Sequence, residues 1–100
     1  MKRVEITYEQ REWIKKRDKG ICQNCGNPVY NKGNCHHIVA FSYAYFLGWS
    51  IERINNPTNL VLVCVPCHNS IHSVDRWDMD TENRLAEIAI RNTLNWKRRQ

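Results

Sequence analysis

No apolar run in this sequence approaches the roughly 20 residues that a membrane-spanning helix requires. The longest candidate, Phe41 to Ile54, is broken by Gly48 and by the polar residues Ser42, Ser50 and Glu52. The opening residues, Met1-Lys2-Arg3-Val4-Glu5, lack the apolar stretch of a secretory leader. There are no internal repeats, no low-complexity tract and no sign of a domain boundary. These absences argue against a secreted or membrane protein and predict a single intracellular, cytoplasmic domain over residues 1–100. Disorder is excluded as well, because 42% of the residues are hydrophobic and 10% aromatic. A chain of this length buries only roughly 60–65% of the surface its unfolded form exposes. A staple is therefore expected.

The five cysteines, at 22, 25, 35, 64 and 67, provide one. Cys22/Cys25 and Cys64/Cys67 form two Cys-x-x-Cys knuckles, each able to offer two thiolates to Zn²⁺ from one tight turn. Gly26, just after the first knuckle, suits that turn because it adopts backbone angles closed to other residues. Disulfides would require an oxidising compartment and would leave an odd cysteine. Four thiolates fill the coordination sphere of Zn²⁺, so this zinc is predicted to be structural. Cys35 is left over and reads as a small, partly buried thiol.

Thr7-Tyr8-Glu9-Gln10 has the form of a capping box. It predicts a basic helix from about Tyr8 to Lys19, ended by Gly20, with Trp13 and Ile14 facing the core. Residues 27–33 read as a turn-rich connection, Asn34 to Phe41 as a strand, and Ser42 to Asn55 as a short helix or compact loop. After the turn residues Asn55 to Asn59, Leu60 to Val63 reads as a second strand. A short helix to about Ser73 follows from Val65 or Pro66. A final helix to about Lys97 is capped by Asp80 or Thr81, with Leu85, Ile88, Ala89 and Asn92 at helical spacing.

All four histidines fall in two clusters, His36-His37 and His68 with His72. The i, i+4 spacing of the second pair puts both imidazoles on one helix face, and His68 follows the second knuckle directly. Adjacent residues of a strand point to opposite faces, so His36 and His37 have different tasks unless a bulge or strand end redirects one. The distribution suggests a second, open metal site.

Taken in order, Cys22-x-x-Cys25, His36-His37-Ile38, Asn59-Leu60, Cys64-x-x-Cys67, His68 and His72 resemble the HNH endonucleases, in the version stapled by a four-cysteine zinc. The resemblance spans Gly20 to His72. It implies an α+β fold: a small ββα-metal (HNH, His-Me finger) domain, with flanking helices, clasping a catalytic divalent cation. Many members carry Asp where His36 stands, although a His-His form also occurs in the family, nuclease colicins included. Ala40 replaces a proline often found two residues after the isoleucine, and the loop before Asn59 is longer and more aromatic than in many members.

The resemblance further implies metal-dependent hydrolysis of DNA phosphodiesters to 5′-phosphate and 3′-hydroxyl ends. His36 and His68 would hold the catalytic ion, with His72 as a third ligand or a phosphate contact. His37 would be the general base, and Asn59 would tie down the loop between the strands and so orient it. A neutral imidazole, with a pKa near ~6.5, suits that role at pH 7. Imidazoles accept Zn²⁺, Ni²⁺, Co²⁺ or Mn²⁺, whereas Mg²⁺, which prefers oxygen, is the weaker fit to a motif with no matching carboxylate.

Fifteen Lys and Arg against ten Asp and Glu give a net charge of +5. The basic residues gather at the ends, and Arg11, Lys15, Lys16, Lys97 and Arg98 with their neighbours Lys2, Arg3, Arg17, Lys19 and Arg99 form a candidate phosphate-binding surface. Such contacts grip the DNA backbone without reading sequence. A non-catalytic zinc-stabilised DNA- or protein-binding module shares the cysteines and the charge but gives the histidines no common purpose. A nuclease subunit active only in a larger complex, such as a phage packaging machine with its terminase, is a third reading.

Overall fold

The computed structural model describes residues 5–29, 33–73 and 79–98; the side chains of residues 72, 73 and 79 lie outside that description. Helix α1 runs from Tyr8 to Arg17 behind a complete capping box. Gln10 N donates to Thr7 Oγ1 at 3.1 Å, and Thr7 N donates to Gln10 Oε1 at 2.7 Å. The helix ends two residues before the expected Lys19. Lys19 and Gly20 both have positive φ, 60° and 67°, which a helix cannot continue through.

Arg17 and Asp18, at this helix end, are buried as a pair. Two guanidinium nitrogens of Arg17 donate to the two Asp18 oxygens at 2.8 and 2.9 Å. Arg17 also donates to the carbonyls of Pro57 and Leu60, both at 2.7 Å, and to Thr93 Oγ1 at 3.0 Å. Asp18 in turn accepts from Leu62 N at 2.9 Å and from Asn92 Nδ2 at 3.0 Å. A buried ion pair is tolerable only when its remaining donors and acceptors are satisfied, as these are. Arg17 therefore leaves the proposed basic surface and becomes an internal tie between the helices and the sheet.

Strands β1 (Asn34–His37) and β2 (Leu60–Val63) pair antiparallel, with His37 opposite Leu60 and His36 opposite Val61. All four β2 residues are buried, as their continuous apolar run requires. The predicted first strand extended to Phe41, but β1 stops at His37. Ile38 N still bonds Asn59 O at 2.9 Å, after which the side chain of Asn59 takes both backbone groups of Val39 and turns the chain away.

The segment read as helix or compact loop holds two short helices, α2 (Phe41–Phe46) and α3 (Ile51–Ile54), around a small core of Phe41, Ala44 and Ile54. A 3-10 turn over Pro57–Asn59 leads into β2. Helix α4 (Val65–Ser73) leaves the second knuckle and contacts β1. Helix α5 spans Met79–Arg98, so Asp80 and Thr81 lie within its first turn rather than capping it. Leu85 and Ala89 are fully buried on its inner stripe, which packs against β2 and the 3-10 turn. The arrangement is a small α+β fold in which β1, β2 and α4 form a ββα unit flanked by α1 and α5.

Candidate active site

The first knuckle is closed by a bridge between Ile21 and Pro28 and by Gly26 N donating to Cys22 O at 2.8 Å. Gly26 has φ +83°, the turn geometry that its residue type suggested. Gln23 N donates to Leu62 O at 2.9 Å and anchors the knuckle to β2, whose end supplies Cys64. The sulfurs of Cys22, Cys25, Cys64 and Cys67 all lie within 4.8 Å of one another. Cys25 and Cys64 Sγ are 3.7 Å apart, too far for a disulfide and close to the ~3.8 Å between two thiolates on one tetrahedral ion.

Burial works against ionisation of Cys22, but backbone hydrogen bonds from Cys25, Cys64 and Asn24 outweigh it and lower its pKa to about 6. Cys67 is pushed up to about 12, first by burial and also by the neighbouring sulfurs of Cys64, Cys25 and Cys22. One thiolate forms readily in this crowd and further ones are resisted, an imbalance that a bound dication relieves. The four cysteines are thus positioned to hold a metal ion. Cys35 stays outside the cluster, half-buried against the main core, and burial pushes its thiol up.

The second constellation gathers at the end of β1. His36 is buried and packs edge-to-face on His68 of α4, with ring centroids 5.8 Å apart. Its Nε2 lies 3.3 Å from Oε1 of Glu82 on α5. His37, on the opposite face, has Nε2 2.8 Å from Oδ1 of Asn55, and its ring meets Phe41 edge-on at 6.0 Å. Although the two histidines face apart, both border one cavity of about 360 Å³, with Ile38, Ala40, Tyr43, Ile71 and Glu82 completing its wall. The chain bends at Ile38 and Val39, immediately after the strand ends, and Ile38 and Ala40 help to line the cavity. His72 lies on α4 one turn beyond His68, with its side chain outside the described residues.

Asn59 is buried between the strands. Its Oδ1 accepts from Val39 N at 2.8 Å, and its Nδ2 donates to Val39 O at 3.2 Å and Ile54 O at 2.9 Å. The amide therefore clamps both ends of the α2–α3 segment.

A family model described as HNH endonuclease matches residues 22–74, from the first knuckle to the end of α4. The chain belongs to the HNH endonuclease family. A probable HNH endonuclease of Lactococcus phage SK1 is 35% identical over 68 residues, covering 62% of this chain and 70% of the relative. The type IV methyl-directed restriction enzyme EcoKMcrA of Escherichia coli strain K12 is 33% identical over 69 residues, covering 62% of this chain and 22% of that protein.

Two residues in this HNH site escaped the motif. Asn55 has the sequence context of a turn residue, yet its side chain bonds His37 across 18 positions. Glu82 lies beyond the matched segment, and His36, 46 residues away, now has the carboxylate neighbour that the motif lacked. The available signal was its position three residues before Leu85, on the apolar stripe of α5, where a solvated glutamate is out of place.

Among the candidate DNA contacts, Arg11 and Lys16 are exposed on α1, while Lys15 is half-buried with its Nζ 3.5 Å from Glu12 Oε1. Lys97 and Arg98 are exposed at the end of α5. Trp13 meets Trp96 edge-on at 6.1 Å and brings that end of α5 alongside α1. Among the described residues, no helix is long and apolar enough to cross a membrane.

Proposed function

We propose that this HNH protein is a metal-dependent DNA endonuclease with His37 as its general base. The carrying observation is that His37, in the wall of the cavity that His36 shares, is hydrogen-bonded to Asn55. An amide oxygen only accepts, so Nε2 of His37 bears the proton and the lone pair falls on Nδ1. That nitrogen takes a proton from the attacking water. Asn59 acts through position: by clamping Val39 and Ile54 it fixes the segment that carries Asn55, and with it the imidazole.

His36 and His68 would hold a divalent ion, with His72 as a third ligand or a phosphate contact. When bound, such an ion supplies positive charge to the scissile phosphate and the leaving 3′ oxygen. Exposed Arg11, Lys16, Lys97 and Arg98, with the partly engaged Lys15, would hold the DNA backbone irrespective of sequence. The four cysteines would carry a structural zinc. The relatives' names, an HNH endonuclease and a restriction enzyme, support cleavage over a purely binding role.

The test is nicking of supercoiled plasmid by zinc-loaded protein in EDTA, Mg²⁺, Mn²⁺, Ni²⁺ or Zn²⁺, with His37→Ala alongside. Metal-dependent nicks that DNA ligase reseals, lost in the variant, are expected. No cleavage by folded protein in any metal would return the weight to a binding module or a partner-dependent subunit.

A further inference from the structure

We propose that Glu82 is a carboxylate ligand of the divalent ion held by His36 and His68, so that α5 completes the active site from outside the HNH motif. The inference rests on the histidine site described above. Glu82 shares the inner stripe of α5 with Leu85, Ala89 and Thr93 and is itself only 7% exposed. A carboxylate withdrawn from water needs a compensating partner, and surface helices seldom spend an inward position on one without a task.

Its neighbour is the imidazole of His36, with Oε1 3.3 Å from Nε2. That is long for a charge-assisted N–H···O bond, which closes to about 2.7–2.9 Å. It is the separation of two donor atoms on one ion: bonds of about 2.1 Å at 90–110° set them about 3.0–3.4 Å apart. Glu82 also lines the cavity that His36 and His37 border. His68 packs edge-to-face on the same His36 ring, with centroids 5.8 Å apart. Two imidazoles and one carboxylate make a mixed nitrogen–oxygen set, harder than imidazoles alone and better suited to Mn²⁺ or Mg²⁺.

The experiment titrates Mn²⁺ and Ni²⁺ calorimetrically into zinc-loaded wild type, Glu82→Gln, Glu82→Asp and His36→Ala, after thermal melts show each variant folded. Glu82→Gln should weaken Mn²⁺ at least about tenfold and Ni²⁺ distinctly less, since imidazole nitrogen serves Ni²⁺ well. His36→Ala should weaken both strongly. If Glu82→Gln fails to fold, Glu82→Asp carries the test: it keeps the charge but draws the oxygen back by one methylene, and Mn²⁺ must again lose more than Ni²⁺. Equal loss of both metals would make Glu82 an orienting partner of His36 and overturn ligation. Unchanged Mn²⁺ binding in Glu82→Gln, with binding lost in His36→Ala, would overturn it while leaving the histidine site standing. Unchanged binding in both would remove the histidine site and this proposal with it.

Discussion

Asn55 Oδ1 accepts a hydrogen bond from His37 Nε2 at 2.8 Å, and both side chains are buried. An imidazole ring in a cavity wall could present either nitrogen; this bond selects one tautomer and fixes the ring plane. Asn55 is itself held in place as the C-cap of α3, its N–H donating to Ile51 O at 3.0 Å. Asn55→Ala is expected to lower nicking by at least about tenfold, the usual cost of losing an orienting partner, with little change in DNA affinity. Asn55→Asp sets an anion against the imidazole and should favour its protonated form. As the proposed base, His37 must be unprotonated to act, so the acid limb of the pH–rate profile should move to higher pH. A profile unchanged in Asn55→Asp would separate Asn55 from the base.

Asn59 serves three backbone groups with one amide. Asn59→Ala strands Val39 N, Val39 O and Ile54 O in or near the interior, and unsatisfied buried groups cost about 1–3 kcal/mol each. Urea denaturation should show a loss of about 2–4 kcal/mol, allowing for partial rescue by water. Activity should fall further than the folded fraction does, because the released segment carries Asn55. Asn59→Asp keeps the acceptor for Val39 N but sets a buried carboxylate oxygen against the carbonyls of Val39 and Ile54, so it should be no more stable than Ala.

How much of this was legible depends on the range of the interaction. The Thr7–Gln10 box, β2 and the knuckles are local patterns, and their residues sit where spacing put them. Ile38 to Phe41 looks like strand because its apolar residues suit a pleated surface. What ends β1 is the Asn59 side chain, 20 residues away from Val39. Charge counting likewise could not distinguish Arg17 from Lys16. Both are basic residues on one helix, and only the fold reveals that Asp18, Pro57, Leu60 and Thr93 surround one of them. The partnerships of His36 with Glu82 and of His37 with Asn55 were hidden for the same reason.

That distinction can be tested directly. Arg17→Ala leaves Asp18 buried without its counter-ion, and breaking such a pair costs about 3–5 kcal/mol. Against a total stability of about 5–15 kcal/mol, this should produce a large drop in the urea midpoint. Where the variant remains folded, the salt dependence of its DNA binding should match wild type. Arg11→Ala and Lys16→Ala should do the opposite: melting unchanged, binding weaker, and the slope of log K against log salt reduced by about one unit each.

The cysteine cluster predicts a sharp contrast between two cysteines that composition treats alike. Cys64 joins β2 to α4, and its carbonyl accepts from His68 N at 2.9 Å, so a metal held by the four cysteines would also fix the start of the histidine helix. Cys64→Ser is expected to reduce tightly bound zinc well below one ion per chain. It should cost at least ~2 kcal/mol, or about 8–16 °C at the usual 4–8 °C per kcal/mol for a domain this size. Catalytic-site metal affinity should fall with it, because His68 loses its anchor. Cys35→Ser should leave zinc content intact, since Cys35 is outside the four-sulfur cluster. Metal analysis and calorimetric melting of the two variants decide the matter. Equal zinc loss in both would make Cys35 part of the site, and full zinc in Cys64→Ser would remove Cys64 from it.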